Sequence, residues 1–539
     1  MRANVTSNQW LYFNHLTEPE EDMLWEEFSV SLPNVHIDPD QLGQWDGVYR
    51  KYNRAKKRIA RPLLSMLRGL CRKHDIPLVV KDHREKWEYS PIAPDKVTED
   101  FLSGIKLHDY QVKSIKQACL IECGVYDIPT GGGKGEIICG ICKAIECPTV
   151  IIADQTVVVT QLKQRLELRD VAEEVGIFYA GRRPNGELIV VGLIQSLGSP
   201  GMPPQPPNQE EGEPKEKFEK RLKKWESQLQ AFQTRKKNAK ELRKYVKEAE
   251  MIIIDECDKA TSDQFKMLFR HWFKGRRRYG FSGTPFDPEK PVEAMVMQEH
   301  LGSPIMIVPR RRLEKIGQII PCEYFSMGFG IDGDIHEGSA YDIAYEEWMT
   351  ENRDFHKLIA ALCNRYKGDG TLILVDKIAL GKHLEKIIRD SGLSTSFIYG
   401  QTTKRRRDEM LRAFERRELD VLIGGKIINR GLDLSGGCEN LVIATGGKLE
   451  SDFVQKIGRA VRRNRLGRSR VFDFYFRCNK YLYDHSKARL RAMVNAGYRT
   501  TIVFPGGSID GEKLIKRRYV VPKRLFKRTR QKQLIAVAD

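Results

Sequence analysis

From residue 105 to about 310 the chain alternates short apolar runs with longer mixed stretches. TVIIA (149–153), ELIVVGL (187–193), EMIIID (250–255) and RYGFSG (278–283) are continuous apolar runs closed by polar turns. Runs of that kind predict strands buried on both faces, as in a parallel sheet with helices packed on either side. The pattern returns from 371 to about 476, in TLILVD, TSFIYG, DVLIGG, NLVIAT and SRVFDFY. Two successive α/β domains follow from it. Residues 1–95 read differently. Strand-like pieces (QWLYF, VYRKY, PLVVK) surround one amphipathic helix, RPLLSMLRGLCRKH, which predicts a small α+β domain joined by a polar linker, DHREKWEYSPIAPDK.

One segment breaks the rhythm. GSPGMPPQPPNQEEGEP (198–214) is too rich in proline to be helical, and a long charged stretch follows it. There Phe218, Leu222, Trp225, Leu229 and Phe232 recur at alternating spacings of four and three, a helical seam. Residues 215–250 would span ~54 Å as one helix at 1.5 Å per residue. Lys236 takes the next seam position, so a hairpin or a break near there is expected at least as much as one unbroken helix. Two readings of this insertion stand: a surface element packing its seam on its own domain, or a basic arm reaching nucleic acid. The expected domains are 1–95, 96–310 with the insertion 198–250, 311–505, and a basic tail 506–539.

Composition adds a partner class. The 539 residues carry a formal net charge of +19, and 41% are hydrophobic against 30% charged. A charge of that size suits a phosphate backbone, whose counterions are released by each Lys or Arg contact. YRKYNRAKKRIAR (49–61) interleaves Tyr49 and Tyr52 with basic residues, as nucleic-acid surfaces do, and the tail from 512 is basic too. No uncharged apolar run is long enough for a membrane span, and the first residues lack a signal-peptide pattern, so an intracellular, cytoplasmic protein is expected. Cys139 and Cys142 form a CxxC with Cys147 nearby, but no second pair completes a zinc site; the eleven cysteines read as buried thiols.

IPTGGGKGEI (128–137) carries the first chemistry. Backbone N–H groups of a tight glycine turn cradle phosphates, Lys134 reaches the β- and γ-phosphates, and the following helix N-terminus favours anions. Far downstream MIIIDECD ends an apolar run on Asp255 and Glu256. A carboxylate at a strand's end can hold Mg²⁺ through water, and the adjacent glutamate can polarise the attacking water. Together the two segments predict ATP and Mg²⁺ as cofactors.

The motif order then becomes specific. LHDYQ (107–111), TGGGK (130–134), DECD (255–258), SGT (282–284), IGGKIINRGLDL (423–434) and QKIGRAVRR (455–463) stand in the order of superfamily two helicases, which this chain resembles over residues 105–503. The resemblance implies two tandem RecA-like domains, each a parallel sheet flanked by helices, with ATP bound between them. It implies that Gln111, beside Tyr110, reads the adenine edge, and that Thr130, Gly131, Gly132, Gly133, Lys134 and Gly135 form the phosphate loop. Gly431 and Asp433 belong to the second-domain loop near ATP. Ser282, Thr284 and Gln455 couple the nucleotide to closure, and Arg459 and Arg462 reach the γ-phosphate. Guanidinium groups suit that role because they stay charged and offer forked donors. DQTVVVTQ (154–161) and VGLIQSL (191–197) supply Thr160, Gln161, Gln195 and Ser196 as DNA-backbone ligands. The catalytic set is Lys134, Asp255, Glu256, Arg459 and Arg462, with Asp255 the metal residue.

Three positions depart from that family. Gly135 replaces the hydroxyl that ligates Mg²⁺, Gly424 stands where Thr is usual, and Asp154 where Pro is usual. DECD rather than DEAD, with no HRxGR start in QKIGRAVRR, favours DNA over RNA. QLGQWDGVYRKYNRAKKRIARPLLSMLRGLCRKHDIPLVV (41–80) resembles the front domain of the UvsW-type helicases of tailed phages, on Trp45, Asp46 and Gly47. Trp45, Arg50, Lys51, Lys56 and Lys57 are its DNA-binding candidates. That likeness implies a monomeric 3′–5′ helicase that unwinds and branch-migrates forks, Holliday junctions and RNA–DNA loops in replication, recombination or repair, in the cytoplasm of a bacterial host. Two other classes stay open: a duplex translocase that separates no strands, and a DNA-binding scaffold with a degenerate ATP site.

Overall fold

The computed structural model describes residues 1–31, 47–179, 182–198, 202–209, 213–286, 290–330, 340–425, 437–447, 453–460 and 464–516. The chain divides into two compact units: Met1–Ile128 with Gly133–Val308, and Pro129–Gly132 with Pro309 onward.

In the first unit the front of the chain supplies β1 (Arg2–Val5), β2 (Trp10–Asn14), α1 (Glu18–Glu27), β3 (Ser29–Ser31), β4 (Val48–Arg50), β5 (Arg58–Ala60), α2 (Leu64–Lys73) and β6 (Val79–Asp82). A four-stranded sheet, β5-β2-β1-β6, buries Val5, Leu11, Phe13 and Ile59 against Leu24, Phe28, Leu63 and Leu67, while β3 and β4 form a separate antiparallel pair. The small α+β domain thus has a core of its own. The linker behind it is not free: the Trp87 indole donates to Glu250 at 2.9 Å, and the Ile92 amide to the Ala144 carbonyl at 2.9 Å.

The α/β part continues with α3 (Asp109–Leu120), β7 (Cys123–Asp127), α4 (Lys134–Ile145), β8 (Thr149–Ala153), α5 (Thr156–Leu168), β9 (Gly176–Phe178) and β10 (Ile189–Leu193). α6 (Ile194–Leu197), α7 (Lys215–Glu248), β11 (Met251–Asp255), α8 (Asp263–Met267), β12 (Arg277–Ser282), α9 (Pro291–Leu301) and β13 (Pro304–Ile307) complete it. Its seven strands run parallel in the order β13-β7-β12-β11-β8-β10-β9. Their carboxyl ends therefore share one edge. β7 itself, CGVYD, is too short and polar-ended to stand out in the sequence, yet it leads into the glycine loop.

The expected break near Lys236 does not occur: α7 is one helix of 34 residues. Nothing between Thr234 and Leu242 is a helix breaker, and the buried face shifts rather than stops. Ala239, Leu242 and Val246 are buried toward the sheet, while the seam from Phe218 to Phe232 is half-buried. The proline-rich segment lies along that half, with the Trp225 indole donating to the Pro204 carbonyl at 2.9 Å and Arg221 paired with Glu213 at 2.9 Å. The insertion therefore packs on its own domain through its carboxyl-terminal part.

The second unit holds β14 (Cys322–Phe329), β15 (Thr371–Val375), β16 (Thr395–Ile398), β17 (Val421–Gly424), β18 (Asn440–Ala444), β19 (Ser469–Phe476), β20 (Arg499–Phe504) and β21 (Gly507–Asp510). They form one eight-stranded sheet, β16-β17-β15-β18-β19-β14-β20-β21, parallel except for the final antiparallel pair. Helices cover both faces, and each face has its own apolar cluster. The architecture is two RecA-like α/β domains behind a small α+β domain. Among the described residues no helix is long and apolar enough to cross a membrane.

Candidate active site

The site begins where β7 ends. Ile128 is tied to β12 by its amide, which donates to the Ser282 carbonyl at 2.9 Å, and the Gly132 amide closes a turn on the Pro129 carbonyl at 2.9 Å. Gly131 (φ +84°) and Gly133 (φ +71°) are left-handed, a conformation that side chains with a Cβ seldom adopt, so the glycines are what let the chain turn tightly into α4. Lys134 is the first residue of α4. Its Nζ lies 3.7 Å from Glu256 Oε1, with only 13% of the lysine side chain exposed. Burial pulls the ammonium's pKa down, but Glu256, Asp255 and Asp258 outweigh it and leave the value above the ordinary one.

β11 delivers the opposing charge. Asp255 is its last residue, and Glu256 follows in a left-handed conformation (φ +54°), an uncommon one for a residue with a side chain. Burial and the Glu256 charge push Asp255 well above the ordinary carboxylate range. Asp258 is pushed up to about 7, first by burial and then by Glu256. Asp127, at the end of β7, rises to about 6 through burial. Lys134 and Lys259 leave this edge with an excess of carboxylate, and Asp255 Oδ1 is buried with no hydrogen-bond partner. An orphaned, acceptor-only oxygen beside an anion-binding turn fits a hard divalent cation, which oxygen ligands and water prefer. A divalent cation such as Mg²⁺ would, when bound, be held through Asp255.

Two further links tie the edge together. Ser282 donates to Asp258 Oδ1 at 2.9 Å and accepts from the Thr284 amide at 3.1 Å, so the hydroxyl motif after β12 touches the acidic motif after β11. Asp154, the residue standing for proline, pairs with Lys259 at 2.5 Å, and its carbonyl accepts from Gln195 Nε2 at 3.3 Å. Asp258 lies within a quoted motif, whereas Lys259 carries no sequence signal because its partner is remote in the chain.

Other expected residues fall as follows. Tyr110 is buried, and Gln111 is 2% exposed with its Oε1 accepting the His108 amide at 2.8 Å. A helix cap engages that oxygen. Thr160 is half-buried and shares a 2.9 Å hydroxyl hydrogen bond with Tyr179; Gln161 and Gln195 are exposed, and Ser196 is half-buried. Lys51 is a correction: it is buried and paired with Glu299 and Tyr49, so its ammonium is spent inside the unit. Arg50 stacks its guanidinium 4.5 Å over Trp25, and Tyr52 is buried with its hydroxyl on Glu21 at 2.9 Å. Only the turn carrying Lys56 and Lys57 is open to solvent. Trp45, Gly431, Asp433 and Arg462 lie outside the described residues, as do the side chains of Gln455 and Arg459 in the helix Phe453–Ala460. Gly424 ends β17. All eleven cysteines are buried free thiols.

A parallel sheet whose carboxyl edge carries a glycine turn, a buried lysine and paired carboxylates defines a RecA-like nucleotide-driven motor domain. Residues 104–287 match the family described as Type III restriction enzyme, res subunit, and residues 353–464 match the Helicase conserved C-terminal domain. The two matched segments are domains of the superfamily two helicase type. It is 24% identical over 246 residues to "Putative helicase 22" of the Sulfolobus islandicus filamentous virus, covering 43% of each chain. It is 23% identical over 226 residues to "Putative ATP-dependent helicase IRC3" of Saccharomyces cerevisiae, covering 39% of this chain and 32% of that one. The chain thus spans less than half the length of both relatives. Among solved structures it is similar to UvsW of bacteriophage T4, at 15% identity and a TM-score of 0.41 over 93% of this chain and 99% of the other.

Proposed function

We propose that this protein is an ATP-driven DNA helicase that unwinds and branch-migrates branched DNA, moving 3′ to 5′, at forks, Holliday junctions and RNA–DNA loops. The observation that carries the catalytic half is the arrangement of Lys134 against Glu256 beside the orphaned Asp255 oxygen. The front-domain resemblance and the net charge of +19 support the DNA half.

In the proposed reaction, N–H groups of the glycine turn and Lys134 bind the β- and γ-phosphates. Glu256 accepts a proton from water as the water oxygen bonds to the γ-phosphorus; the bond to the β-phosphate oxygen breaks, and ADP and phosphate leave. Mg²⁺, held through Asp255 when bound, neutralises phosphate charge. Ser282 senses the acidic motif through Asp258, and Arg459 and Arg462 serve the γ-phosphate. The protein works as a monomer on DNA, with the exposed Lys56 and Lys57, and Thr160, Gln161, Gln195 and Ser196, on the backbone.

The test is an ATPase and strand-displacement screen over fork, junction, RNA–DNA loop and plain duplex. Faster unwinding of branched substrates is the expected result. ATP hydrolysis without displacement of any strand would reject the helicase reading in favour of translocation on duplex. Gly135 favours one further reading, a DNA-binding scaffold with a degenerate site, which normal ATP binding without hydrolysis would establish.

A further inference from the structure

Gly135 takes a hydroxyl away from the phosphate loop, and the structure puts something else in its place. A Cβ built on Gly135 would fall on Nη1 of Arg165, with Cζ 3.0 Å and Cδ 3.2 Å away. Arg165 comes from α5, which packs beside α4. Its side chain is 39% exposed, so the guanidinium lies against a buried glycine on one side and faces solvent on the other. Any larger residue at 135 would compete with that guanidinium for the same volume.

Glu136 explains how the arrangement is held, and why holding it is not its whole purpose. This carboxylate is 8% exposed in the first turn of α4, where phosphate charge would also arrive. Arg169 grips it with two donors, Nε to Oε2 at 2.9 Å and Nη2 to Oε1 at 3.2 Å. Arg169 is itself anchored by Nη1 on the Ser103 carbonyl at 3.2 Å. One bidentate arginine already neutralises Glu136. Arg165 adds a second, single-edged contact from Nε to Oε1 at 3.3 Å, which leaves its Nη1 end over Gly135. The first turn of α4 therefore carries a guanidinium beyond what its own carboxylate needs.

We propose that Arg165 is a phosphate-binding residue of the nucleotide site, its guanidinium taking the place that Gly135 vacates. A guanidinium there stays charged at any working pH and offers forked donors, so it meets phosphate charge without a metal ion between. Nucleotide binding then leans less on a divalent cation than it does where the loop carries a hydroxyl. The inference rests on the nucleotide-site reading above, and its test separates the two.

The experiment measures binding of a fluorescent ADP analogue by anisotropy, in EDTA and across a Mg²⁺ titration. Full-length wild type, Arg165→Ala, Arg165→Gln, Lys134→Ala, and the double variant Gly135→Ser with Arg165→Ala are compared, with a thermal melt on each. Losing one charge-assisted contact should weaken binding in EDTA about tenfold in Arg165→Ala. Arg165→Gln, which keeps the aliphatic stem and a polar donor without the charge, should show the same loss and serves if the alanine variant melts early. The double variant should regain affinity only as Mg²⁺ is added, with a Mg²⁺ midpoint shifted from the wild type. Binding by both Arg165 variants within twofold of wild type in EDTA, with unchanged Mg²⁺ midpoints, while Lys134→Ala has lost binding, overturns the inference and leaves the nucleotide site standing. Wild type and Lys134→Ala binding equally poorly under every condition overturns both.

Discussion

The two ends of the first sheet are both crowded with charge, and they treat it in opposite ways. At the amino-terminal edge Glu122, just before β7, meets Arg61, Arg84 at 3.2 Å and Arg276 at 2.6 Å. Arg277 donates to the Ala118 carbonyl at 2.6 Å, and Arg278 to the Asn8 carbonyl at 3.0 Å. The contacts of Arg61, Arg84 and Asn8 fasten the front domain to the sheet, together with Gln9 Nε2 on the Phe269 and Phe273 carbonyls at 3.2 Å each. At the carboxyl edge Asp127, Asp255 and Asp258 are all raised above the ordinary carboxylate range, and Asp255 Oδ1 has no partner. One edge has spent its charges on the fold. The other stores electrostatic stress that a cation and a triphosphate would relieve, which is the mark of a site rather than a joint.

Four changes test that contrast. The largest effect belongs to the carboxyl edge: Glu256→Gln should lower ATP turnover by on the order of 10²–10³-fold with little loss of stability, since it removes a transition-state role. Equal loss of turnover and of thermal stability would erase the distinction between the edges. Glu122→Gln should do the reverse, costing about 3 kcal/mol of stability in denaturant melts because it strands buried arginines, with nucleotide affinity unchanged.

His300 on α9 gives the third, a pH effect. It is half-buried at the front-domain joint, stacked 4.9 Å from Phe269 with its Nε2 buried and unpartnered, among Lys51, Arg278, Arg270 and Lys266. Burial and those cations pull its pKa down to about 3. The unfolded chain then binds more protons between about pH 6.5 and 3. The stabilising contribution of the neutral ring is complete above that window and is lost as pH falls through it. At pH 5 the loss is roughly 2 kcal/mol, so His300→Leu should gain that much on wild type between pH 7.5 and pH 5. A gap that stays constant with pH would mean the ring titrates normally. Last, Lys56→Ala with Lys57→Ala should flatten the salt dependence of DNA binding by about 1.8 in the log–log slope, two phosphates' worth, while Lys51→Ala leaves the slope alone. A slope change in Lys51→Ala would return that residue to the DNA surface.

Much of this was legible beforehand, and the misreadings share a cause. Apolar runs such as MIIID and NLVIA announced buried strands, because burial on both faces of a parallel sheet leaves a continuous apolar signature. The phosphate loop, the acidic pair and their order were visible because each motif is local. The basic stretch 49–61 divides in the fold for the opposite reason. Its lysines and arginines look alike in one dimension, yet Lys51 points to Glu299 and Arg61 to Glu122, whereas Lys56 and Lys57 face water. Lys56 and Lys57 sit in the open turn between β4 and β5, while Lys51 and Arg61 flank the strands on the side that the neighbouring domain covers. α7 was misjudged at Lys236 because the buried stripe moved around the helix as its packing partner changed.

The sequence alone determined the α/β class of the two motor domains, the central strands of both sheets and the candidates for a nucleotide site, since periodicity and short motifs are written between neighbours in the chain. Only the tertiary structure decided which charges are consumed by the fold, and what stands at Gly135. That glycine reads as a lost hydroxyl; in the folded unit it is the opening through which Arg165 reaches the loop. Side chains on separate helices meet there because α4 and α5 pack together on one sheet, and no spacing along the chain records that meeting.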